Sequence, residues 1–388
     1  MAKITATDIR EQVKAKGVEG FVNGVMRPAL EGRTLDNGGN YKLRPEDFSI
    51  RAIFEACSDR PFSEAWNIYK GIMSEGNNVL PVREGIDSTM FPTITGQLVL
   101  NKLIEGYNKE GFIGDELVDT VPATSATDTI PGLTYPEGAS LVNQGGQYPK
   151  VSFGEKTVTT TTEKRGLIVE ITEEDVVFDR TGWILRQAQM HGETVAETRE
   201  RVIIDGITDV NSNVYRPAGV ATALYAGGNN NLLTSTPLTD WADIDAAFQY
   251  HVQNVTDDRH KGTKQPIMWM PDAVLTPRTL MMKARNIFNA TEIRSTNGDE
   301  LTNSQNPISG MGMRPLSSPY MDGTSTSTWY IGNFKKQFIW SEVWPLQTIR
   351  LNPSDFMLQE RDIAAAFKVR YYGNIAALDT RHVIKVTA

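Results

Sequence analysis

Few residues in this sequence are of types that could do chemistry, and they are scattered. There are four histidines, His191, His251, His260 and His382. A three-histidine metal site would consume nearly all of them, and no two stand four apart on one helical face. Asp257-Asp258-Arg259-His260 brings carboxylates and an imidazole together, as metal ligation or acid–base catalysis would need. The four follow an amphipathic segment and run into Lys261-Gly262, the pattern of a solvated turn. Glu173-Glu174-Asp175 could supply paired catalytic carboxylates, but it lies where a helix can begin, and the helix macrodipole favours negative charge there. The only cysteine, Cys57, sits in Ile53-Phe54-Glu55-Ala56-Cys57. Its place on an apolar stripe suits a small core residue better than a nucleophile. Gly310-Met311-Gly312 lacks the third glycine of a dinucleotide fingerprint, and no GxxxxGK[ST], GxSxG or HExxH occurs. The sequence therefore predicts no catalytic residue, no cofactor-binding residue and no metal ligand: a protein without a cofactor that is not an enzyme.

The whole chain narrows the partners. Its 388 residues are 40% hydrophobic and 22% charged, which suits packed cores. At roughly 150 residues per domain, about two or three domains are expected. One cysteine excludes an intrachain disulfide, no apolar run approaches the ~18 residues of a membrane span, and Met1 to Asp8 lacks a secretory core. These features point to a soluble intracellular protein. Lys+Arg 39 against Asp+Glu 47 leaves a net charge of −8. Gripping a phosphate backbone normally takes a basic surplus. The basic clusters here, Lys164-Arg165, Arg259-His260-Lys261 and Lys335-Lys336, are small.

The first ~90 residues suggest a charged helix over Asp8 to Lys16, a polar glycine-rich stretch, and a helical pair opened by Pro45 and Pro61. Met90 to Gly106 carries a further amphipathic pattern through Leu98, Leu100, Leu103 and Ile104. From Thr134 to Thr172 two strand-like arms flank Gly145-Gly146, and five of the six residues Thr157 to Thr162 are threonine. β-Branched side chains suit a pleated surface. The middle of this hairpin offers almost nothing apolar to bury, and a lone ribbon is marginal in water, so the arm should rest on something else, such as another subunit. A long helix is expected from Trp183 to Ile204, about 33 Å, with Ile184, Ala188, His191, Val195, Thr198 and Val202 on its stripe and Gly206 as its stop. His191 reads as a packed core histidine.

Asn211 to Asn306 reads as a separate α/β unit. It has a helix behind an Asp240 cap carrying Trp241, Ile244, Phe248, His251, Val252 and Val255. Ile267-Met268-Trp269-Met270 reads as a buried strand, and Asp272 to Arg285 as a helix delayed or kinked by Pro277. Polar loops are expected over Ala226 to Asn231 and Ser295 to Ser309. Strands return at Trp329 to Gly332, Phe338 to Trp340, Ala364 to Tyr372 and His382 to Val386.

The order of these elements resembles the major capsid proteins of tailed bacteriophages with the Hong Kong ninety-seven-type fold, over about Phe91 to the C-terminus. Tyr135-Pro136-Glu137-Gly138 and the threonine-rich ribbon are similar to the family's extended loop. Ile171-Thr172-Glu173-Glu174-Asp175 leading to Trp183–Ile204 and Asp205-Gly206 is similar to its spine helix. Tyr330-Ile331-Gly332-Asn333-Phe334 with Trp340 is similar to the strand pair leaving the axial domain. Phe356 to Tyr372, Asp379 and Val383 to Val386 are similar to its terminal strands.

The resemblance implies an α+β fold with an N-terminal arm (1–90), the start of a peripheral domain (91–132), an extended β-hairpin loop (133–172), a spine helix with further peripheral domain (173–210), an axial domain (211–328) and return strands (329–388). It implies self-assembly as pentamers and hexamers into an icosahedral shell around double-stranded DNA, with the shell assembled in the host cytoplasm and residing in the virion. Its partners would be further copies of itself, portal, scaffold and cement proteins, and weakly contacted DNA, with no membrane. The N-terminal region that some relatives lose to a protease is expected here to stay as an arm. Lys150, Lys156 and Lys164 on or near the ribbon read as edge protection rather than crosslinking residues. Two alternatives stand beside the capsid reading: an encapsulin-type compartment shell, and a two-domain enzyme with an unrecognised site in the α/β unit.

Overall fold

The computed structural model describes residues 99, 102–109, 111–133, 141–148, 155–172, 174–175, 183–210, 212, 214–217, 223–260, 263–297, 300–351 and 363–388. The expected helices before residue 90, with Cys57 and the N-terminal arm, lie outside the described residues. In chain order the helices are α1 (Gly114–Leu117), α2 (Trp183–Thr208), α3 (Trp241–Asn254), α4 (Met281–Asn289) and α5 (Phe334–Gln337). The strands are β1 (Asp119–Pro122), β2 (Thr127–Leu133), β3 (Glu155–Thr161), β4 (Glu163–Thr172), β5 (Leu232–Leu233), β6 (Thr256–His260), β7 (Thr263–Pro266), β8 (Ala273–Pro277), β9 (Glu292–Asn297) and β10 (Glu300–Gln305). They continue with β11 (Arg314–Ser318), β12 (Trp329–Gly332), β13 (Phe338–Leu351), β14 (Ile363–Ala377) and β15 (Val383–Val386). Helix and sheet are thus mixed, as an α+β chain requires.

The chain forms two compact units, 1–110 with 165–197 and 346–371, and 111–164 with 198–345 and 372–388. In the first, residues 102–107 are helical, with Leu103 buried and Lys102 paired to Glu105 at 2.8 Å. This turn passes close to the N-terminal half of α2. A methyl group at Gly192 would stand 2.1 Å from the Leu103 carbonyl oxygen, so only glycine fits there. β4 lies beside β14.

The second unit is built on a five-stranded sheet of order β11-β8-β12-β15-β5. Register aligns Val274, Ile331 and Ile384 across β8, β12 and β15, and Trp329 with Val386, which puts these side chains on one face. Ile244 and Ala247 of α3 and Ala284 and Phe288 of α4 join them in a single core. α4 packs on β8 and β11, and α3 on β7 and β15. The tail strands β12 and β15 therefore complete the sheet of the central α/β unit and form no layer of their own.

Several expectations are corrected. Ile267–Met270 is not a strand; the buried strand is β8, and the helix read over Asp272–Arg285 is delayed past Pro277, as one of the two expectations had it, and runs from Met281 to Asn289. Pro277 ends a strand, a position where its missing N–H costs no ladder bond, and a short 3₁₀ turn then leads into α4. Asp257 to His260 belong to β6, paired with β7, and are not a turn. Much of the polar stretch Ser295–Ser309 is the β9–β10 hairpin. Helix α2 also runs through Gly206 to Thr208. Gly206 is there for space: a methyl group would stand 2.3 Å from Ile375 Cγ2. The buried stripe of α2 starts with Ile184 and Ala188 as expected but then follows Gly192, Val195, Ala196, Glu200, Ile203 and Ile207, leaving His191 half-buried and Thr198 exposed.

Candidate assembly surfaces

The ribbon is an antiparallel ladder running from Thr127 opposite Thr161 to Leu133 opposite Glu155. It starts seven residues earlier than expected, and β4 is no part of it but a strand beside β14. Thr157, Thr159 and Thr161 are exposed, whereas Val158 and Thr160 are buried. Val158 packs with Ile339 and Ala376, with Ile130 and Tyr215 alongside. The base of the ribbon thus rests on its own subunit, contrary to the expectation that its middle had nothing to bury. The outer face is held by a Thr129–Thr159 hydroxyl contact of 3.3 Å, and the last turn by Thr162, whose N–H and hydroxyl both donate to the Ala126 carbonyl. At the tip Gly145 has φ +80, a left-handed conformation glycine adopts freely, and Gly146 N–H closes the turn on Asn143 O at 2.8 Å. Beside this turn Leu141 is 96% exposed and Tyr148 84%. Lys150 lies outside the described residues, and Lys164 stands 5.9 Å over the Trp344 ring.

Several buried polar side chains are bonded to the backbone. Helix α2 ends on Asp209, at φ 49. The Asp209 carboxylate accepts from Leu224 N at 2.6 Å and Val214 N at 3.3 Å and lies 3.6 Å from Arg216. Tyr225 and Tyr330 donate their hydroxyls to the last carbonyls of α2, Ile207 O at 2.9 Å and Thr208 O at 3.4 Å. Burial above all pushes both phenols well up, so they remain protonated donors; the Asp209 carboxylate adds to this, and Tyr330 adds for Tyr225. Lys385 lies about 6 Å from both rings, and burial lowers its pKa against the opposing pull of Asp209.

A second set ties α3 to the turn before β15. His251 stacks on Trp269 at 4.1 Å, its Nε2 lies 2.9 Å from Arg381 O, and Trp269 Nε1 donates to His382 O at 2.8 Å. The carbonyl partner requires the proton on Nε2, and burial lowers the imidazole pKa to about 4. Arg381 grips Asp379 at 2.6 Å, and Gln337 Oε1 accepts from His382 N and Val383 N. Glu200 is buried and accepts from Ile113 N at 3.1 Å and Gly114 N at 2.7 Å, capping α1. Its pKa is raised by burial, which outweighs those hydrogen bonds.

None of this is arranged around a reacting centre. Of the residues singled out in the sequence, Asp175 accepts from Thr172 N–H and hydroxyl in a local turn, and His191 and His260 lie on different elements from His251 and His382. Among the described residues no three His, Cys, Asp or Glu side chains are placed to hold a metal ion, and no helix is long and apolar enough to cross a membrane. Asp209, Glu200 and Gln337 escaped the sequence reading because their partners are main-chain groups, which leave no motif.

Residues 155–386 match the phage capsid protein family, and the chain belongs to that family. The family is one of structural proteins of the phage shell rather than of enzymes. No curated protein sequence matches it. Among solved structures it is similar to one from Mycobacterium phage Bobi, with 19% identity over 72% of this chain and 91% of that one at a TM-score of 0.47. Another similar structure, the capsid of the cyanophage P-SCSP1u, gives 12% identity over 70% and 85% at 0.46. A third, a virus-like particle from Pyrococcus furiosus, gives 10% over 75% and 98% at 0.43.

Proposed function

We propose that this subunit assembles as pentamers and hexamers into an icosahedral shell of the Hong Kong ninety-seven type that encloses double-stranded DNA. The observation that carries this reading is the ribbon: its base is buried on its own subunit through Val158, while its tip holds out Leu141 and Tyr148 with nothing of the described chain against them. Exposed apolar groups on a braced arm gain by docking on a neighbour, and a shell needs heterologous contacts that close into rings. Residues 127–161, the ladder and the stretch it encloses, act as the extended loop. The axial domain, 211–328 together with β12 and β15 of the return stretch, is centred on the five-stranded sheet and surrounds the symmetry axis, while 91–132, 173–210 and the rest of 329–388 contribute the peripheral domain and 1–90 the arm. A net charge of −8 suits a container that holds DNA without binding it tightly. Portal, scaffold and cement proteins are its further partners, and assembly takes place in the host cytoplasm.

Electron microscopy and sedimentation of the full chain test this. Closed polyhedra, or rings of five and six, are expected, and Leu141→Asp with Tyr148→Asp should abolish them while the subunit stays folded. A parent chain that remains a small particle under all assembly conditions, or a tip variant that builds normal shells, would refute the reading.

A further inference from the structure

The two helices on the covered face of the five-stranded sheet carry opposite charge. From Arg278 to Asn289, through the 3₁₀ turn and α4, there are three cations, Arg278, Lys283 and Arg285, and no carboxylate. All three are exposed and make no ion pair among the described residues. From Asp240 to Asn254, through α3 and its cap, there are three carboxylates, Asp240, Asp243 and Asp245, and no Lys or Arg. Asp240 and Asp243 form the capping box and Asp245 accepts from Gln249 Nε2 at 2.7 Å, so none of the three is neutralised by a cation. An exposed apolar residue accompanies each set: Met282 on α4, Trp241 on α3.

Their placement gives the charges a direction. α4 lies over β11 and β8, at one end of the strand order, and α3 over β15, toward the other. The α4 helix thus presents cations and the α3 helix carboxylates, although Asp322 accepts from Arg278 N and Thr279 N beside α4 and Lys264 lies on β7 beside α3. A second copy set head to tail brings the α4 cations of one against the α3 carboxylates of the next. A repeated contact of this heterologous kind is what closes a ring. Opposite potentials steer encounter and fix register, and like charges penalise the wrong approach.

We infer that the α4 face carrying Lys283 and Arg285 docks on the α3 face carrying Asp245 of the adjacent copy, an electrostatic lateral contact that sets the order of subunits around a ring. This deepens the shell reading and rests on it. It assigns the basic face to protein rather than to the phosphates of packaged DNA.

The test uses the full chain and two charge reversals that leave the caps and the core untouched, Lys283→Glu with Arg285→Glu and Asp245→Lys with Gln249→Lys. Each alone should raise the concentration at which shells form by about tenfold or more, because a weak contact repeated around every ring is multiplied. The four changes combined should restore assembly toward the parent level, and the parent's threshold should shift with salt as a charge contact requires. Circular dichroism and thermal unfolding of each variant confirm that the subunit is intact. Reversals that assemble like the parent, or a combined variant worse than either, would overturn the inference while the parent's shells keep the capsid reading. An α4 reversal that builds normal shells but loses encapsidated DNA would overturn it in favour of a phosphate contact. A parent that never assembles would instead remove the capsid reading on which it rests.

Discussion

Acidification below neutrality should weaken this subunit through His251. The imidazole is 0% exposed, stacked on Trp269 and bonded through Nε2–H to Arg381 O, with burial lowering its pKa to about 4. In the unfolded chain a histidine ionises near 6.5, so the unfolded state takes up the proton first. Stability present at pH 7 is then lost as pH falls through 6.5 toward 4. Linkage gives a loss of about 2 kcal/mol between pH 7 and pH 5, and about 3 kcal/mol once both states are charged. The hydrogen bond to Arg381 O opposes the shift and His382 adds to it, while Glu200, whose pKa is raised by burial, works in the opposite sense on acidification. His251→Phe keeps an aromatic ring against Trp269 but cannot ionise, and it removes the hydrogen bond to the Arg381 carbonyl at a cost of about 1–3 kcal/mol at every pH. Urea unfolding of unassembled subunits at pH 7 and pH 5 separates the effects. The parent should lead the variant at pH 7, and that lead should shrink by about 2 kcal/mol at pH 5. An unchanged lead, or a folded-state imidazole pKa near 6.5 by nuclear magnetic resonance, would show that the ring is not buried neutral and would refute the argument.

Other substitutions have a definite sign. Gly192→Ala should stabilise α2 by about 1 kcal/mol on helix propensity alone, but the clash with Leu103 O should make it net destabilising by about 1–2 kcal/mol; a higher melting temperature would contradict the close approach. Glu200→Ala should cost about 2–3 kcal/mol by stranding the Ile113 and Gly114 amides, and hydrogen exchange at those two positions should quicken more than at the centre of α2. Tyr225→Phe should cost about 1 kcal/mol through the lost bond to Ile207 O, read by chemical denaturation; a neutral result would mean that carbonyl has another donor.

The legible parts of the sequence were those whose signals are local. The 3.6-residue pattern gave α2 its start, Asp240 with Asp243 three residues on forms the capping box at α3, and short apolar, β-branched or aromatic runs marked β12 and β15. Gly206 misled because a glycine in a helical pattern looks the same whether it ends the helix or admits a neighbour, and Ile375 lies far along the chain. β8 misled in another way. Its five residues are all buried, and a continuous apolar run before a proline shows no period by which strand and helix can be told apart. The threonines of the ribbon signalled β structure, but only tertiary packing against Ile339 and Ala376 turns Val158 into an anchor.

The sheet of the second unit also fixes when the subunit can become competent. Among the described residues β5 has one partner, β15, reached about 150 residues later, since Leu232 pairs with Lys385. A ribosome adding about 5–20 residues per second leaves β5 without its neighbour for roughly ten to thirty seconds. For the last stretch of that interval, after it is itself made, β12 likewise has one edge open where β15 will insert. Growing chains on one messenger are close together and carry the same unpaired edges, a hazard for premature association. The final insertion of β15 between β12 and β5 therefore acts as a synthesis checkpoint, so that chains lacking residues 383–386 cannot finish the sheet on which a lattice of identical subunits depends.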